Sequence, residues 1–202
     1  MNVEFWNTRY SQHGYSYGTE PNDFLSSSLH LFPKIGHVLT LGEGEGRNAL
    51  FLAKQGYDVQ AVDMSVAGKE KAAQLASDHG VSFSYNVSDV NDYDFGEDKW
   101  DVILSIFAHT DPVTRQNVCQ KSLLSLKQGG LFVMEAYHPT QLKYGTGGPK
   151  DIEWLVSLDD LNPHFQDQEI IHQLEMERPV NEGPCHVGNA FVTQFICRKI
   201  SS

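Results

Sequence analysis

Apolar and polar positions along the chain switch repeatedly between a two-residue and a 3.6-residue period, and the switches mark out an order of strand, turn and helix. An apolar run over 38–41 ends in glycines. It is followed by a helical stretch over 47–55 with Ala49, Leu50, Leu52 and Ala53 on one face and Gly56 as its stop. Residues 57–62 read as a second strand ending at Asp63, Ser65 caps a helix that runs through 69–76 to near Gly80, and 83–87 alternates as a third strand. The run 100–107 is almost continuously apolar, as expected for a central parallel strand covered on both faces. Asp111 or Thr110 caps the next helix, with Pro112 at its first position and Val113, Val118, Leu123, Leu124 and Leu126 along it to about residue 127. Gln128, Gly129 and Gly130 then turn the chain into a fifth strand, 131–135. Helical spacing also marks 5–10 and 23–31 before the first strand and a short piece at 157–161. Two closing strands, 169–178 and 187–198, joined by 179–186, predict an antiparallel hairpin at the sheet edge. The alternation places the chain in the α/β class.

Gly42, Gly44 and Gly46 stand at alternate positions between the first strand and its helix. Glycine costs roughly 0.5–1 kcal/mol relative to alanine inside a regular element, so three together imply a sharp turn or a close approach of backbone to a ligand. The helix start behind them offers unpaired N–H groups and the positive end of a dipole, which suits a nucleotide-like cofactor. Asp63 follows Gly42 by 21 positions, at a strand end where a carboxylate can accept both ribose hydroxyls. A dinucleotide fingerprint would need a small residue at the position of Arg47, so the spacing argues against an NAD-dependent oxidoreductase. The plainer alternative is a glycine-rich turn of some other α/β protein with Asp63 merely solvated.

With 202 residues the chain fits one domain, 1–202, able to bury roughly 70 % of its unfolded surface. Fifteen Lys and Arg against 26 Asp and Glu leave a formal charge of −11 and no basic patch, which speaks against nucleic acid as a partner. The acidic cluster over 89–101 reads as a solvated loop in which only the first member, Asp89, is a cofactor candidate. The opening residues lack a basic, apolar leader and no run approaches 18 apolar residues, so a cytoplasmic protein without a membrane span is expected. Cys119, Cys185 and Cys197, an odd number without a paired motif, fit reduced thiols, and no metal site is expected because Cys185 and His186 have no second ligand pair at metal spacing.

Residues 3–20 are aromatic-rich, and 1–32 read either as a helical segment covering the sheet or as a lid whose turn at Tyr15, Ser16, Tyr17 and Gly18 closes over the cofactor. Beyond the fourth and fifth strands, where open α/β folds bind substrate, stand His109, Tyr137 and His138, with His186 in the last turn. His109 leads as catalytic candidate on position alone; each of the four also reads as an ordinary hydrogen-bonded residue. The loop 144–149, rich in glycine and ending in proline, is a connector or part of the substrate mouth.

The Gly42-Glu43-Gly44-Glu45-Gly46-Arg47-Asn48 loop, the Phe5-Trp6-Asn7 opening with Arg9 and Tyr10, the Tyr17-Gly18-Thr19-Glu20-Pro21-Asn22 turn, the run from Leu126 to Glu135 and the Tyr144 to Pro149 loop resemble class I S-adenosylmethionine-dependent methyltransferases over nearly the full length. Among these the chain is similar to the bacterial tellurite-resistance type. The resemblance implies a Rossmann-like fold with a seven-stranded, mostly parallel sheet of order 3-2-1-4-5-7-6 and helices on both faces. It further implies S-adenosylmethionine as cofactor, with Gly42, Gly44, Gly46 and the adjoining Glu43 and Arg47 against its amino-acid portion. Asp63 with Met64 would then hold the ribose, Asp89 with Val90 the adenine, and Tyr17 and Ile106 would line the site. Thr40 departs from the pattern, standing where many relatives carry an acid, which shifts recognition of the methionine end toward Glu43, backbone groups and the N-terminal aromatics. The implied activity is methyl transfer to a small molecule, a thiol or chalcogen oxyanion among the options, with a non-catalytic cofactor-binding module as the alternative. The oligomeric state is not legible.

Overall fold

A computed structural model describes residues 2–200. Its sheet contains β1 (His37–Leu41), β2 (Asp58–Asp63), β3 (Ser84–Val87), β4 (Trp100–Ile106), β5 (Leu126–Tyr137), β6 (Glu169–Asn181) and β7 (Val187–Arg198). They lie in the order β3-β2-β1-β4-β5-β7-β6, as the resemblance implied. The first five are parallel, and β7 runs antiparallel to both β5 and β6. Parallel neighbours need crossovers, and α3 (Arg47–Lys54), α4 (Val66–Asp78) and α5 (Pro112–Ser125) supply three of them. The remaining helices are α1 (Val3–Tyr10), α2 (Asp23–Ser28) and α6 (Leu158–Phe165). The chain steps outward from β1 to β3 and then returns to the other side of β1 with β4. This reversal opens a crevice at the carboxyl ends of β1 and β4.

Local chemistry accounts for the element ends. Ser65 accepts from the Gly68 N–H at the start of α4, and Asp111, rather than Thr110, accepts from Val113 and Thr114 at the start of α5. In β4, flanked on both sides, Val102, Leu104 and Ile106 face one apolar cluster and Ile103 the other, which explains the unbroken apolar run.

Three boundaries differ from the sequence expectation. The Gly129–Gly130 turn is a bulge within β5: Trp100 pairs with Leu126 but Val102 pairs with Leu131, and the displaced segment is tied back by backbone bonds between Gly129, Gly130 and Lys199. The closing hairpin is longer than expected, since β6 continues through Pro179 to Asn181; β6 is the edge strand, where a missing N–H is tolerated. The expected helix over 23–31 divides into α2 and a 3-10 turn, Leu29–Leu31.

One polar cluster crosses the apolar interior. Glu135 on β5, fully buried, accepts from Arg178 Nε at 2.8 Å and Nη2 at 2.7 Å, and from the Gln194 amide at 2.8 Å. Arg178 also donates to Glu182 at 2.8 Å, Glu182 pairs with Arg47 of α3, and the Asn22 amide donates to both carboxylates. Two guanidinium groups thus balance two carboxylates, joining the N-terminal segment, α3, β5 and the final hairpin. Removing one member strands a buried charge. Arg178→Met should therefore cost about 3–5 kcal/mol, read as a lowered urea midpoint at unchanged slope.

Candidate active site

The crevice holds a cavity of about 320 Å³, at the small end of ligand pockets, which run from roughly 300 to 1,000 Å³. Its floor is the glycine loop. Gly42 and Gly44 both have φ of 62°, and a Cβ on Gly42 would lie 2.6 Å from Ala108, one on Gly44 2.7 Å from the Tyr10 hydroxyl. Both glycines line the cavity. Gly46 does not: its φ is 93° and a Cβ would lie 2.7 Å from that of Ala72, so the third glycine serves the close packing of α3 on α4.

Asp63 ends β2 in the cavity wall, 7 % exposed, with Oδ2 accepting from the Gly44 N–H at 3.0 Å and Oδ1 from Ser65 at 2.9 Å. Burial pushes its carboxyl up to about 6, against the opposing pull of these backbone N–H groups. Met64, Val90 and Ile106 also line the cavity, as does Ser88. Asp89 does not: its Oδ1 accepts from the Asn91 N–H in its own turn, and its neighbours Ser88 and Val90 face the ligand space instead. Glu43 reaches the cavity, yet its Oε1 caps α3 by accepting from Asn48 and Ala49 at 3.0 and 2.9 Å, and burial pushes its carboxyl up to about 7. Glu43 thus braces the loop and the start of α3 while also lining the cavity.

The N-terminal segment covers this floor. Trp6 stacks on Tyr10 with centroids 5.4 Å apart, Arg9 donates to the Tyr17 hydroxyl at 3.0 Å, and all four line the cavity. Asn7 holds α1 to the start of α4 by accepting from Ser65 Oγ at 2.7 Å. Glu45, invisible as a site residue in the sequence, anchors the turn behind α1: it accepts from the Ser16 N–H at 2.7 Å and pairs with Lys71 at 2.8 Å. Phe107 was likewise not anticipated. It lies just past β4 with φ of 52°, a strained value for a bulky residue, and presents its ring to the cavity.

The catalytic candidates separate. His109 lines the cavity, but its Nε2 accepts from the Tyr137 N–H at 2.9 Å and its ring stacks on that of Tyr137 at 5.4 Å. Burial pushes its pKa down to about 4, with Arg115 adding to the effect and a hydrogen bond with the Phe107 backbone opposing it. Tyr137 is fully buried behind His109 and Gly147, and outside the cavity lining. His138 also lies outside it: Nδ1 accepts from the Thr140 N–H, Nε2 faces Glu175 at 3.4 Å, and the ring rests on Phe191. Tyr137 ends β5 and His138 follows it, and both pack against the final hairpin, Tyr137 with Val180, Ala190 and Val192 and His138 with Phe191. His186, from the loop before β7, does reach the cavity. Among the described residues no group of three or more His, Cys, Asp or Glu could hold a metal, and the three cysteines are free.

Residues 38–130, the glycine loop through the Gly129–Gly130 bulge, match the family model described as a methyltransferase domain. The fold is similar to a solved structure from work on the conversion of a disulfide bond into a thioacetal group during echinomycin biosynthesis (TM-score 0.78, 18 % identity, 98 % of this chain and 93 % of that one). It is also similar to an S-adenosylmethionine-dependent methyltransferase from Clostridium acetobutylicum (TM-score 0.67, 12 % identity, 100 % and 93 % covered). The matched residues 38–130 and the sheet order are those of a methyltransferase domain with the class I fold. The chain is likewise similar in fold to TehB from Haemophilus influenzae (TM-score 0.74, 18 % identity, 98 % of this chain and 66 % of that one). Among curated proteins, Hemagglutinin 1 of Eikenella corrodens is 41 % identical over 64 residues, 29 % of this chain and 21 % of that protein, so the chain spans about a fifth of that relative.

The hydrogen bond at His109 Nε2 and its low pKa make the imidazole neutral across the physiological range. Its ring nitrogens should show no titration in a ¹⁵N spectrum between pH 8 and about pH 5. A midpoint near 6.5 would return His109 to the list of bases.

Proposed function

We propose that this protein transfers the methyl group of S-adenosylmethionine to a small-molecule acceptor that brings its own nucleophile. The observation that carries this reading is the asymmetry of the cavity. One wall has the Gly42–Gly44 backbone and the Asp63 carboxylate; the other is aromatic, with a neutral His109 whose Nε2 is already taken by the Tyr137 N–H. The glycine loop, which lines the cavity and where a Cβ on Gly42 would collide with Ala108 and one on Gly44 with the Tyr10 hydroxyl, fits the amino-acid portion of the cofactor, and Asp63 fits its ribose. Met64, Ser88, Val90 and Ile106 line the adenine end, with Asp89 supporting the turn between Ser88 and Val90.

When bound, S-adenosylmethionine supplies a methyl already activated on sulfonium. The protein must then hold an acceptor in line at about 3–3.5 Å and exclude water. Trp6, Tyr10, Tyr17 and Phe107 provide an apolar enclosure for that purpose, and the N-terminal segment from Phe5 to Gly18 acts as the cover. A thiolate, or another acceptor already anionic, needs no proton removed, which agrees with the absence of a base at His109. The charge of −11 supports a small acceptor over nucleic acid, and three unpaired thiols support a reducing, cytoplasmic setting. No helix among the described residues is long and apolar enough to cross a membrane.

Parallel calorimetric titrations with S-adenosylmethionine, S-adenosylhomocysteine and NAD test the reading, with saturable binding of the two sulfur nucleotides alone as the expected result. NAD binding alone would overturn it, and nucleotide binding without turnover over thiols, amines, oxyanions and phenols would leave a binding module. Asp63→Ala should weaken S-adenosylhomocysteine by about 100-fold, from loss of up to two charge-assisted hydrogen bonds. Because the Asp63 carboxyl ionises near pH 6, affinity should fall as pH drops through about 6, and Asp63→Asn should abolish that step.

A further inference from the structure

Gly44, part of the cavity floor, is gripped at both ends by side chains from two neighbouring strands. Its N–H donates to Asp63 Oδ2 at the end of β2 at 3.0 Å, and its carbonyl accepts from the Tyr85 hydroxyl of β3 at 2.8 Å. Tyr85 is the one buried residue of β3 and lies outside the cavity lining. A phenylalanine would supply the same ring to the core; the hydroxyl is what reaches the loop. Gly68 marks the same bond independently. It stands in the first turn of α4 without a positive φ, where glycine is disfavoured relative to alanine. A Cβ there would lie 2.9 Å from the Gly44 carbonyl oxygen and 3.2 Å from the Tyr85 hydroxyl, so the missing side chain clears the space in which the two meet.

Fixing Gly44 at both ends matters because glycine alone does not choose. Its φ of 62° is one of several conformations open to a residue without a Cβ, and the two bonds select it. Burial, reinforced by Asp63, Glu43 and Glu45, pushes the Tyr85 ionisation far above its ordinary value, so the hydroxyl keeps its proton and donates. On the other side, the Gly44 N–H is one of three backbone bonds that favour the charged form of Asp63 against burial. The further titratable groups facing this pair are Tyr10 of α1, kept neutral by burial and by Asp63, and Glu43 and Glu45 of the loop.

We propose that Tyr85 is a positioning residue for the cofactor: its hydroxyl fixes the Gly44 peptide so that the Gly44 N–H stays on Asp63, and the Asp63 carboxylate is presented to the ribose already oriented and ionised. The proposal rests on the methyltransferase reading above. In it a core residue of β3, without a ligand contact of its own, acts on the cofactor through Gly44 and Asp63.

Tyr85→Phe removes one oxygen and keeps the ring. Calorimetric titration of the full chain with S-adenosylhomocysteine at about pH 7.5 should show affinity lowered by at least about threefold, the worth of one hydrogen bond. The step in affinity near pH 6, identified as that of Asp63 by its loss in Asp63→Asn, should move upward, because one of the bonds favouring the ionised carboxyl is weakened. In an Asp63→Ala background the same substitution should change affinity by less than about twofold, since Tyr85 acts through Asp63. Equal losses in the two backgrounds, a pH step left in place or an unchanged affinity each overturn the proposal and leave a tyrosine that only packs. Gly68→Ala, which crowds the Gly44 carbonyl and leaves Tyr85 intact, should reproduce the weaker affinity and the raised step. It carries the test if Tyr85→Phe does not fold, and a Gly68→Ala protein identical to wild type in both readouts overturns the proposal as well. Failure of the wild type to bind S-adenosylhomocysteine would instead sink the methyltransferase reading, and is seen before any variant is compared.

Discussion

The buried ion cluster of Glu135, Arg178, Glu182 and Arg47 is the constraint on which the rest of this molecule depends. Charges removed from water are tolerated only when paired and fully hydrogen-bonded, and here each carboxylate is met by guanidinium and amide donors from distant parts of the chain. The geometry that satisfies them has the N-terminal segment, the first helix after the glycine loop, β5 and the terminal hairpin in one arrangement. That arrangement is also the one that closes the crevice. Stability and site therefore share a single set of contacts.

The glycine loop shows how a motif divides its duties. Gly42 and Gly44 hold the backbone against the ligand space, Gly46 lets α3 approach α4, and Glu43 caps the helix that the loop initiates. Glu45 secures the N-terminal cover through Ser16 and Lys71. Gly46 alone of the three glycines does not face the cavity. All three keep the loop in a backbone conformation that alanine could not adopt without strain.

The catalytic wall follows a different logic. His109, placed by its strand as an obvious base, is held neutral by burial and spends its Nε2 lone pair on the Tyr137 N–H. On the proposed function the methyl donor is already activated, which makes such a base unnecessary and leaves positioning of the acceptor as the remaining demand.

Sequence alone determined the strand order of operations: the two periodicities, the Ser65 and Asp111 caps, the glycine loop and the carboxylate at the end of β2 are local features, readable within a few residues of one another. The sheet order followed from the resemblance that those features carry. Tertiary structure decided everything that depends on distant partners. Arg47 meets Glu182 across 135 positions, His109 meets Tyr137 across 28, and Asp89 turns to its own loop rather than to the cavity. No local pattern encodes those choices, because the energy of a buried polar group is set by whichever donor or acceptor the folded chain brings to it, and that partner is defined only when the sheet has closed.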